Sequence, residues 1–251
     1  MPTKSEIALV RSLASKKERD ASGLFVAEGE KLVGEILASD FAVRKIFARE
    51  GIRLNGISGR DAETVSAKEM ERLSLLKTPS RILALVETPL PRQPEHPGER
   101  ALALALDDVQ DPGNLGTIIR LADWFGIRDI LCSEATADCF NPKVVQATMG
   151  AILRVSVHYL PLADALAEAA GRNVPVYGTF LDGHDIYGAE LSPNGILTMG
   201  NEGKGIGPDV ARHVTRRLYL PPYPAAAPGS ESLNVAVATA VACAEFRRRL
   251  R

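Results

Sequence analysis

The sequence predicts two α/β domains, the second built on a mostly parallel sheet with helices on both of its faces. Residues 88–99 contain four prolines, too many for a helix or a central strand, so they mark a connection between domains. After this connection, short apolar runs alternate with helical patterns, as expected of parallel strands that are buried on both faces. We therefore predict an N-terminal domain at 1–90, a linker at 91–99 and a C-terminal domain at 100–251.

The individual elements follow from apolar periodicity, which differs between helices and half-buried strands. Before the linker, the pattern predicts helices at 5–14 and 29–38 and strands at 41–48 and 81–86. After the linker, the predicted strands are 101–106, 129–132, 174–180, 195–199 and 217–220. The predicted helices of that part are 115–125, 162–170 and 233–249. This succession of strands and helices gives the C-terminal domain its α/β class.

Composition and charge limit the possible functions. Hydrophobic residues make up 45% of the chain and charged residues 24%, which is ordinary for a chain that folds independently. The net charge of −1 does not favour holding nucleic acid by bulk electrostatics, so any RNA contact must be local. The start of the chain lacks a signal-peptide pattern, and its most apolar stretch, 235–244, is about half the length of a membrane span. We therefore expect a cytoplasmic protein.

Three separated segments place polar side chains among glycines and small apolar residues. They read DPGNLGTIIR at 111–120, GNEGKG at 200–205 and ESLNVAVA at 231–238. Each follows a predicted strand of the C-terminal sheet, and ligands of such sheets bind outside the carboxyl ends of the strands. The three segments therefore predict a site at that edge.

Each segment, taken alone, also has a structural explanation. Asn114 is well placed as an N-cap, and Arg120 lies off the core stripe of its helix, where it can be solvated. The second segment lacks the spacing of a Walker loop and can be a simple turn, although the carboxylate of Glu202 suits an adenosine or amino-acid group. Ser232 or Asn234 can cap the helix that follows.

Histidines and cysteines contribute no recognisable chemistry. None of the four histidines lies in the three segments, so no imidazole base or nucleophile relay is apparent. The three cysteines, Cys132, Cys139 and Cys243, include no Cys-x-x-Cys pair. This spacing fits neither a disulfide framework nor a zinc site, and it predicts reduced thiols in the core.

In their joint order, the segments resemble the three motifs of the SpoU (TrmH) family of RNA ribose 2′-O-methyltransferases. The matching stretches are NLGTIIR at 114–120, MGNEGKG at 199–205 and SLNVAVA at 232–238, with NPKVVQATMGA at 141–151 in support. The resemblance covers most of residues 100–251. The first 90 residues, notably 13–31, are similar to the family's accessory substrate-binding domain, whose fold resembles ribosomal RNA-binding proteins. Two departures are the longer, more proline-rich approach to the third motif at 220–232 and Gln146, where the family often has Arg.

The resemblance implies a C-terminal domain threaded as a deep trefoil knot, an exception to the rule that chains avoid threading. It implies S-adenosylmethionine as the methyl donor, no metal, and a homodimer. The donor would be held by backbone around Gly200, Leu220 and Leu233, with Thr179 nearby.

The resemblance also implies that Arg120 activates the ribose 2′-hydroxyl. A guanidinium keeps its proton in proteins and is a poor base, so we expect Arg120 to stabilise the developing alkoxide and to hold an adjacent phosphate. Four further residues would position Arg120 and the ribose; they are Asn114, Glu202, Ser232 and Asn234.

Candidate RNA contacts in the N-terminal domain are basic residues that lie close together in sequence. These candidates are Lys16, Lys17, Arg19 and Arg44, with Lys45, Arg49 and Arg53 near the last of them. Acidic neighbours make a mixed solvated surface an equal explanation of these charges.

The predicted function is methyl transfer from S-adenosylmethionine to a ribose 2′-hydroxyl of structured RNA, and the accessory domain favours ribosomal over transfer RNA. The alternatives are a tRNA ribose methyltransferase and a catalytically silent knotted protein that binds RNA or assists ribosome assembly. A Rossmann oxidoreductase is disfavoured because the chain has no Gly-x-Gly-x-x-Gly fingerprint.

Overall fold

The computed structural model describes residues 1–52, 62–91, 93–224 and 232–250. The chain divides into two units, one of Met1–Leu90 with Asp138–Leu153 and one of Pro91–Ala137 with Arg154–Arg251. The sequence analysis assigned 138–153 to the C-terminal domain. In the structure this stretch packs with the first 90 residues, because Phe140, Val145 and Leu153 join an apolar cluster of the first unit.

The elements alternate along the chain. Up to the linker they are α1 (Lys4–Ser12), α2 (Lys16–Ser22), β1 (Leu24–Glu28), α3 (Glu30–Leu37), β2 (Val43–Arg49), β3 (Ala62–Val65), α4 (Ala67–Leu73) and β4 (Ile82–Glu87). The next are β5 (Leu102–Leu106), α5 (Pro112–Trp124), β6 (Asp129–Cys132), α6 (Pro142–Thr148), the 3₁₀ turn Ala151–Leu153, β7 (Ser156–Tyr159) and α7 (Leu162–Gly171). The last are β8 (Val176–Asp185), β9 (Gly195–Met199), α8 (Pro208–Ala211), β10 (Arg216–Tyr219) and α9 (Val235–Arg248).

The first unit is a four-stranded sheet in the order β1-β4-β2-β3, covered on both faces. β4 runs antiparallel to both of its neighbours, whereas β2 and β3 are parallel. Successive strand residues point to opposite faces, so alternate side chains enter different clusters. Phe47 and Leu83 pack with α1 and α4, while Ile46 and Ile82 pack with α3 and α6.

The second unit is a six-stranded sheet in the order β10-β8-β9-β5-β6-β7. Every pairing in this sheet is parallel, which confirms the predicted class. All residues of β5 and β9 are buried, as expected of central strands covered on both faces. α7 and α8 pack against one side, and α5 contacts α9. Two of the predicted core thiols, Cys132 and Cys243, lie in this unit, and all three cysteines are buried, as predicted.

The strand order changes direction between β5 and β9. From β5 the chain continues to β6 and β7 on one side, whereas β9, β8 and β10 lie on the other. The gap outside the carboxyl ends of two such strands is where open α/β sheets bind ligands. The trefoil knot implied by the resemblance stays a prediction. Among the described residues, no helix is long and apolar enough to span a membrane.

Arg19, predicted as an RNA contact, is a structural residue instead. Its side chain is only 3% exposed, and it forms an ion pair with Asp138. Nε donates to Asp138 Oδ2 at 2.9 Å, and Nη1 donates to the carbonyl oxygens of Leu13 at 2.7 Å and Ala14 at 3.0 Å. A buried guanidinium whose donors are directed at protein acceptors is not accessible to a phosphate. Sequence proximity to Lys16 and Lys17 did not reveal this, because the order of residues in α2 does not show that Arg19 is the one that is buried.

The C-terminal end of α9 is held by a group of charges around Glu245, whose side chain is 4% exposed. Arg248 Nε donates to Oε2 at 2.8 Å, and Arg249 Nε donates to Oε1 at 2.7 Å. Arg249 Nη2 also donates to the carbonyl oxygens of Ile186 and Tyr187, each at 2.8 Å. The guanidinium of Arg248, with that of Arg249, lowers the pKa of Glu245 from 4.5 to about 2.

We expect Arg19→Ala to destabilise the protein by about 3 kcal/mol, because it leaves the Asp138 carboxylate and two carbonyl groups without their donor. Lys17→Ala, an exposed neighbour on α2, should change stability by less than about 0.5 kcal/mol. Urea unfolding of both variants measures the difference. Equal stability of the two variants would contradict the structural role of Arg19.

We expect Glu245→Gln to be less stable than the wild type by about 2 kcal/mol near neutral pH, because charge-assisted hydrogen bonds are lost. A carboxylate with a depressed pKa stabilises the folded state above its ordinary pKa, and that contribution is lost as the pH falls towards the folded value. The difference between variant and wild type should therefore narrow below about pH 4.5. Unfolding curves at several pH values test this, with the exposed Glu190→Gln as a control; a constant difference would refute it.

Candidate active site

The first segment begins with a cap that differs from the prediction. Asp111, not Asn114, is the N-cap of α5, and its side chain accepts a hydrogen bond from the Asn114 backbone N–H at 2.8 Å. Asn114 is the third residue of the helix, so its side chain is not needed for capping. Pro112 at the first helical position suits this start, since its ring has the required φ and no N–H to leave unpaired.

Three polar side chains, one from each segment, form a continuous chain of hydrogen bonds. Asn234 Nδ2 donates to Asn114 Oδ1 at 2.9 Å, and Asn114 Nδ2 donates to Glu202 Oε1 at 2.9 Å. Asn234 is also the N-cap of α9, where Oδ1 accepts from the N–H groups of Ala236 at 3.0 Å and Val237 at 3.2 Å. The structure therefore joins Asn114, Glu202 and Asn234, residues that lie far apart in sequence.

The donor-to-acceptor direction of this series of hydrogen bonds follows from the capping of α9 by Asn234. Backbone N–H groups can only donate, so they require the oxygen of the Asn234 amide and turn its NH₂ group towards Asn114. Asn114 must then present its own oxygen to Asn234 and its NH₂ group to the carboxylate of Glu202. The amide orientations are thus determined by backbone groups at the start of α9, and the chain ends on an anion.

The glycine-rich segment is a loop with a closed neck. The backbones of Asn201 and Gly205 hydrogen-bond to each other in both directions, at 3.0 and 2.9 Å. A Cβ on Gly200 would lie 2.1 Å from the carbonyl carbon of Gly205, so no larger residue fits there. The Asn201 side chain secures the loop from both sides: Nδ2 donates to the carbonyl of Asp108 at 2.8 Å, and Oδ1 accepts from Gly203 N at 2.9 Å. This neck holds Glu202 at the loop tip.

Asp107 is a contributor that the sequence analysis missed. It follows the last residue of β5, is 8% exposed, and accepts a hydrogen bond from Gly207 N to Oδ2 at 2.7 Å. Burial, reinforced by the neighbouring charge of Asp108, raises its pKa above the ordinary value. The sequence pattern that could have revealed Asp107 is a pair of consecutive acids directly after an apolar strand. Asp107 and the Asp108 carbonyl thus tie both ends of the glycine loop to the end of β5.

Two predicted catalytic residues remain outside this network. Arg120 is exposed on α5 and Ser232 is exposed ahead of α9, and neither makes a hydrogen bond or ion pair with any residue in the described part of the chain. The five donors of the Arg120 guanidinium are therefore available to a ligand. Their catalytic roles stay predictions.

The predicted donor-binding residues lie at the ends of neighbouring strands. Gly200 follows β9 and Leu220 follows β10, and Thr179 lies in β8, between these two strands in the sheet. Thr179 Oγ1 approaches Met199 Sδ at 3.8 Å. Leu233 is 53% exposed just before α9. Residues 225–231 of the proline-rich approach, including Glu231, lie outside the described residues.

The basic candidates of the first unit differ in their environments. Lys16 forms an ion pair with Asp20 at 2.7 Å, while Lys17 and Arg44 are exposed. Lys45 is held between two acids, Glu6 and Glu63, whose hydrogen bonds raise its pKa. Arg53 lies outside the described residues. Contacts of Lys16, Lys17 and Arg44 with RNA stay predictions.

Two family models match the chain in adjacent parts. The SpoU rRNA Methylase family matches residues 101–244, and the MRM3-like substrate binding domain matches residues 4–84. The first match spans all of the segments at 111–120, 200–205 and 231–238. The chain is 34% identical over 234 residues to the 23S rRNA (guanosine(2553)-2′-O)-methyltransferase RlmP of Bacillus subtilis, which covers 92% of this chain and 91% of that protein.

Solved structures of similar proteins share the whole fold. A structure from Porphyromonas gingivalis, assigned to the TrmH family of RNA methyltransferases, is 40% identical with a TM-score of 0.87, and 99% of each chain is covered. An rRNA methyltransferase from Sinorhizobium meliloti with bound S-adenosylmethionine is 29% identical with a TM-score of 0.84. That match covers 100% of this chain and 97% of the other.

Gly200→Ala should open the neck of the glycine loop, because its Cβ meets backbone rather than a movable side chain. We expect a loss of stability of about 1–3 kcal/mol. Gly203→Ala is the matched control in the same loop, since its Cβ would meet only Asn201 Oδ1 at 3.7 Å. Thermal unfolding and amide exchange of residues 201–205 measure both effects; unchanged exchange in Gly200→Ala would contradict the closed neck.

Proposed function

This chain belongs to the SpoU rRNA methylase family, and we infer that it transfers a methyl group from S-adenosylmethionine to a ribose 2′-hydroxyl of ribosomal RNA. The observation that carries the inference is the hydrogen-bond chain of Asn234, Asn114 and Glu202. It brings one polar residue of each family motif together at the switch point of a parallel sheet. A core built only for packing has no use for such a chain.

The residues at this edge fit S-adenosylmethionine. Gly200 follows β9, Thr179 lies in the adjacent strand β8, and Leu220 follows β10 on the other side of β8, so backbone and small side chains are close together at this edge. Leu233 adds an exposed apolar side chain ahead of α9. When bound, S-adenosylmethionine supplies a methyl group activated by its sulfonium centre. The protein's own task is then to align the accepting hydroxyl, since positioning alone removes much of the entropic barrier.

Glu202 is the residue proposed to orient the ribose. Its Oε1 atom accepts from Asn114, whereas Oε2 makes no hydrogen bond with any residue of the described ranges. A ribose hydroxyl can donate to that second oxygen. Because Asn114 is itself oriented by Asn234, the carboxylate is held without depending on the substrate. This arrangement reduces the ordering needed when RNA binds.

Arg120 is the proposed electrostatic catalyst. A guanidinium remains protonated at any pH compatible with the fold, so it cannot act as an ordinary base. It can stabilise the oxyanion that develops at the 2′-oxygen and bind a neighbouring phosphate in bidentate fashion. Its exposure and its lack of partners among the described residues leave all of its donors available for this role.

The N-terminal match favours ribosomal RNA over transfer RNA as the substrate. Residues 4–84 correspond to a substrate-binding domain, and the Bacillus subtilis relative of similar length is named a 23S rRNA methyltransferase. Lys17 and Arg44 are exposed cations of that unit and can reach phosphates. A catalytically silent RNA-binding protein is disfavoured by the assembled Asn234–Asn114–Glu202 chain.

We also propose that the protein is a homodimer in the cytoplasm. α5 and α9 contact each other and carry large exposed apolar side chains, with Trp124 83% and Val237 50% exposed. Exposed apolar side chains on two adjoining helices are available to a surface that associates. The resemblance to the family supports the same assembly.

We expect Arg120→Ala to lower the rate of ribose methylation by about 10²–10³-fold, as the loss of one preorganised charge does in other oxyanion sites. Its affinity for S-adenosylmethionine should change less than about twofold, because Arg120 is assigned to RNA and not to the donor. Arg128→Ala, another exposed arginine of the same unit, should remain fully active. Methylation of rRNA from cells lacking the protein, with donor binding followed by calorimetry, provides both measurements.

Near-normal turnover of Arg120→Ala would contradict the role of this residue. The ribose assignment itself is tested with a target carrying a 2′-deoxy substitution. Methylation should stop on this RNA. A methyl mark that survives the substitution would place the reaction on the base and refute the proposed function.

A further inference from the structure

β8 leaves the sheet for part of its length and then returns. Arg216 and Arg217 of β10 pair with Tyr177 and Gly178, yet the next residue, Leu218, pairs with His184. Residues 179–183 therefore have no partner in β10, and we call them the β8 excursion. The excursion begins with Thr179, one of the predicted donor-binding residues. Insertions of this kind in a strand are typically placed where a side chain must be redirected.

Arg217 holds the excursion at two points. Its guanidinium carbon lies 3.5 Å from the centre of the Phe180 ring, and Nη2 donates to Asp182 Oδ1 at 2.5 Å. A planar guanidinium can stack on an aromatic ring and form an ion pair at the same time, which an ammonium cannot do with the same geometry. The Arg217 hydrogen bond lowers the pKa of the Asp182 carboxyl, so the pair remains charged at neutral pH. Arg216, its neighbour, makes no ion pair in the described part of the chain.

The tip of the excursion is held less closely than its two ends. Leu181, near its tip, is 73% exposed and contributes little packing. At its far end Gly183 lies directly against β10, since a Cβ there would come 2.4 Å from the Leu218 carbonyl carbon. The excursion is thus anchored at its return to the sheet, while its first half is held by the stack between Arg217 and Phe180 together with the packing of Phe180 beside Ile206.

Phe180 connects the excursion with the glycine loop. A Cβ on Gly178 would lie 2.7 Å from Phe180 Cε2 and 3.1 Å from Ile206 Cδ1, so these two side chains converge on the same point. Ile206 belongs to the stretch that follows the loop neck at Gly205. Thr179, the residue directly before Phe180, approaches Met199, the residue before Gly200. Movement of Phe180 would therefore disturb the contacts made both before the glycine loop, at Met199, and after it, at Ile206.

We propose that Arg217 is a positioning residue of the donor site. It holds the β8 excursion so that Thr179 and Phe180 form one wall of the S-adenosylmethionine pocket. The proposal rests on the proposed function, because it assigns a wall to the donor pocket of that reaction. Arg217 contacts neither donor nor RNA in this role. It acts through Phe180 and Asp182, which fix the first half of the excursion against the glycine loop.

The test compares Arg217→Ala with Arg216→Ala, its exposed neighbour on the same strand. We expect Arg217→Ala to raise the dissociation constant and the KM for S-adenosylmethionine about tenfold, the effect of losing one stacked, paired guanidinium. The kcat at saturating donor should change less than about threefold, since the reacting groups are untouched. Arg216→Ala should leave all three constants unchanged. Arg217→Lys, which can keep the ion pair but not the planar stack, should lie between Arg217→Ala and wild type.

Amide hydrogen exchange of the protein without ligands provides a measurement that is independent of activity. Exchange in residues 179–183 should accelerate in Arg217→Ala and remain as in wild type in Arg216→Ala. Unchanged exchange, or a donor affinity equal to that of Arg216→Ala, would overturn the proposal while wild-type methylation of rRNA still upheld the proposed function. If the wild type itself bound no S-adenosylmethionine, that result would refute the proposed function, and the role proposed for Arg217 would be refuted together with it.

Discussion

The capping of α9 by Asn234 is the interaction on which the arrangement of the site depends. Two backbone N–H groups at the start of the helix take the amide oxygen of Asn234, and this single requirement orients Asn114 and then the bond to Glu202. Backbone groups have no alternative protonation state or rotamer, so the orientation is constant over the whole pH range in which the helix is folded. The same contact that begins the last helix therefore also aligns residues of the other two motifs.

Close backbone approach is the second constraint, and it explains why the motifs contain glycine. Gly200 permits the neck that holds Glu202, and Gly178 leaves space in which Phe180 and Ile206 meet. Side chains then hold the backbone of neighbouring glycines, as Asp107 does for Gly207 and Asn201 does for Gly203. A flexible residue type thus becomes part of a rigid edge because polar neighbours remove the freedom that glycine would otherwise have.

Much of the fold and part of the site could be predicted from the sequence. Strands such as β5 and β9 are continuous apolar runs, and the structure places them in the centre of the sheet as that pattern indicates. β1 and β3 were not predicted; β3 is short and largely polar, so its strand character comes from pairing with β2 rather than from its own pattern. Asn234 was one of two candidate caps, with Ser232, and it is the cap in the structure, whereas the capping role given to Asn114 belongs to Asp111. Arg19 was misjudged because charge in a sequence does not reveal burial, and Arg217 was missed because its partners lie in a register shift that no local pattern shows.

The return of residues 138–153 to the first unit has a consequence for how the protein is made. While the chain is being synthesised, the sheet of β1, β4 and β2 is complete long before Phe140 and Val145, which cover part of one face, leave the ribosome. At a synthesis rate of about 5–20 residues per second, that part of the sheet face stays uncovered for roughly 3–12 s. The first unit must therefore remain soluble with Phe25 and Ile46 incompletely covered, and its final packing is coupled to the emergence of the first two strands of the catalytic sheet. The first unit therefore completes its packing only after part of the second unit has been synthesised.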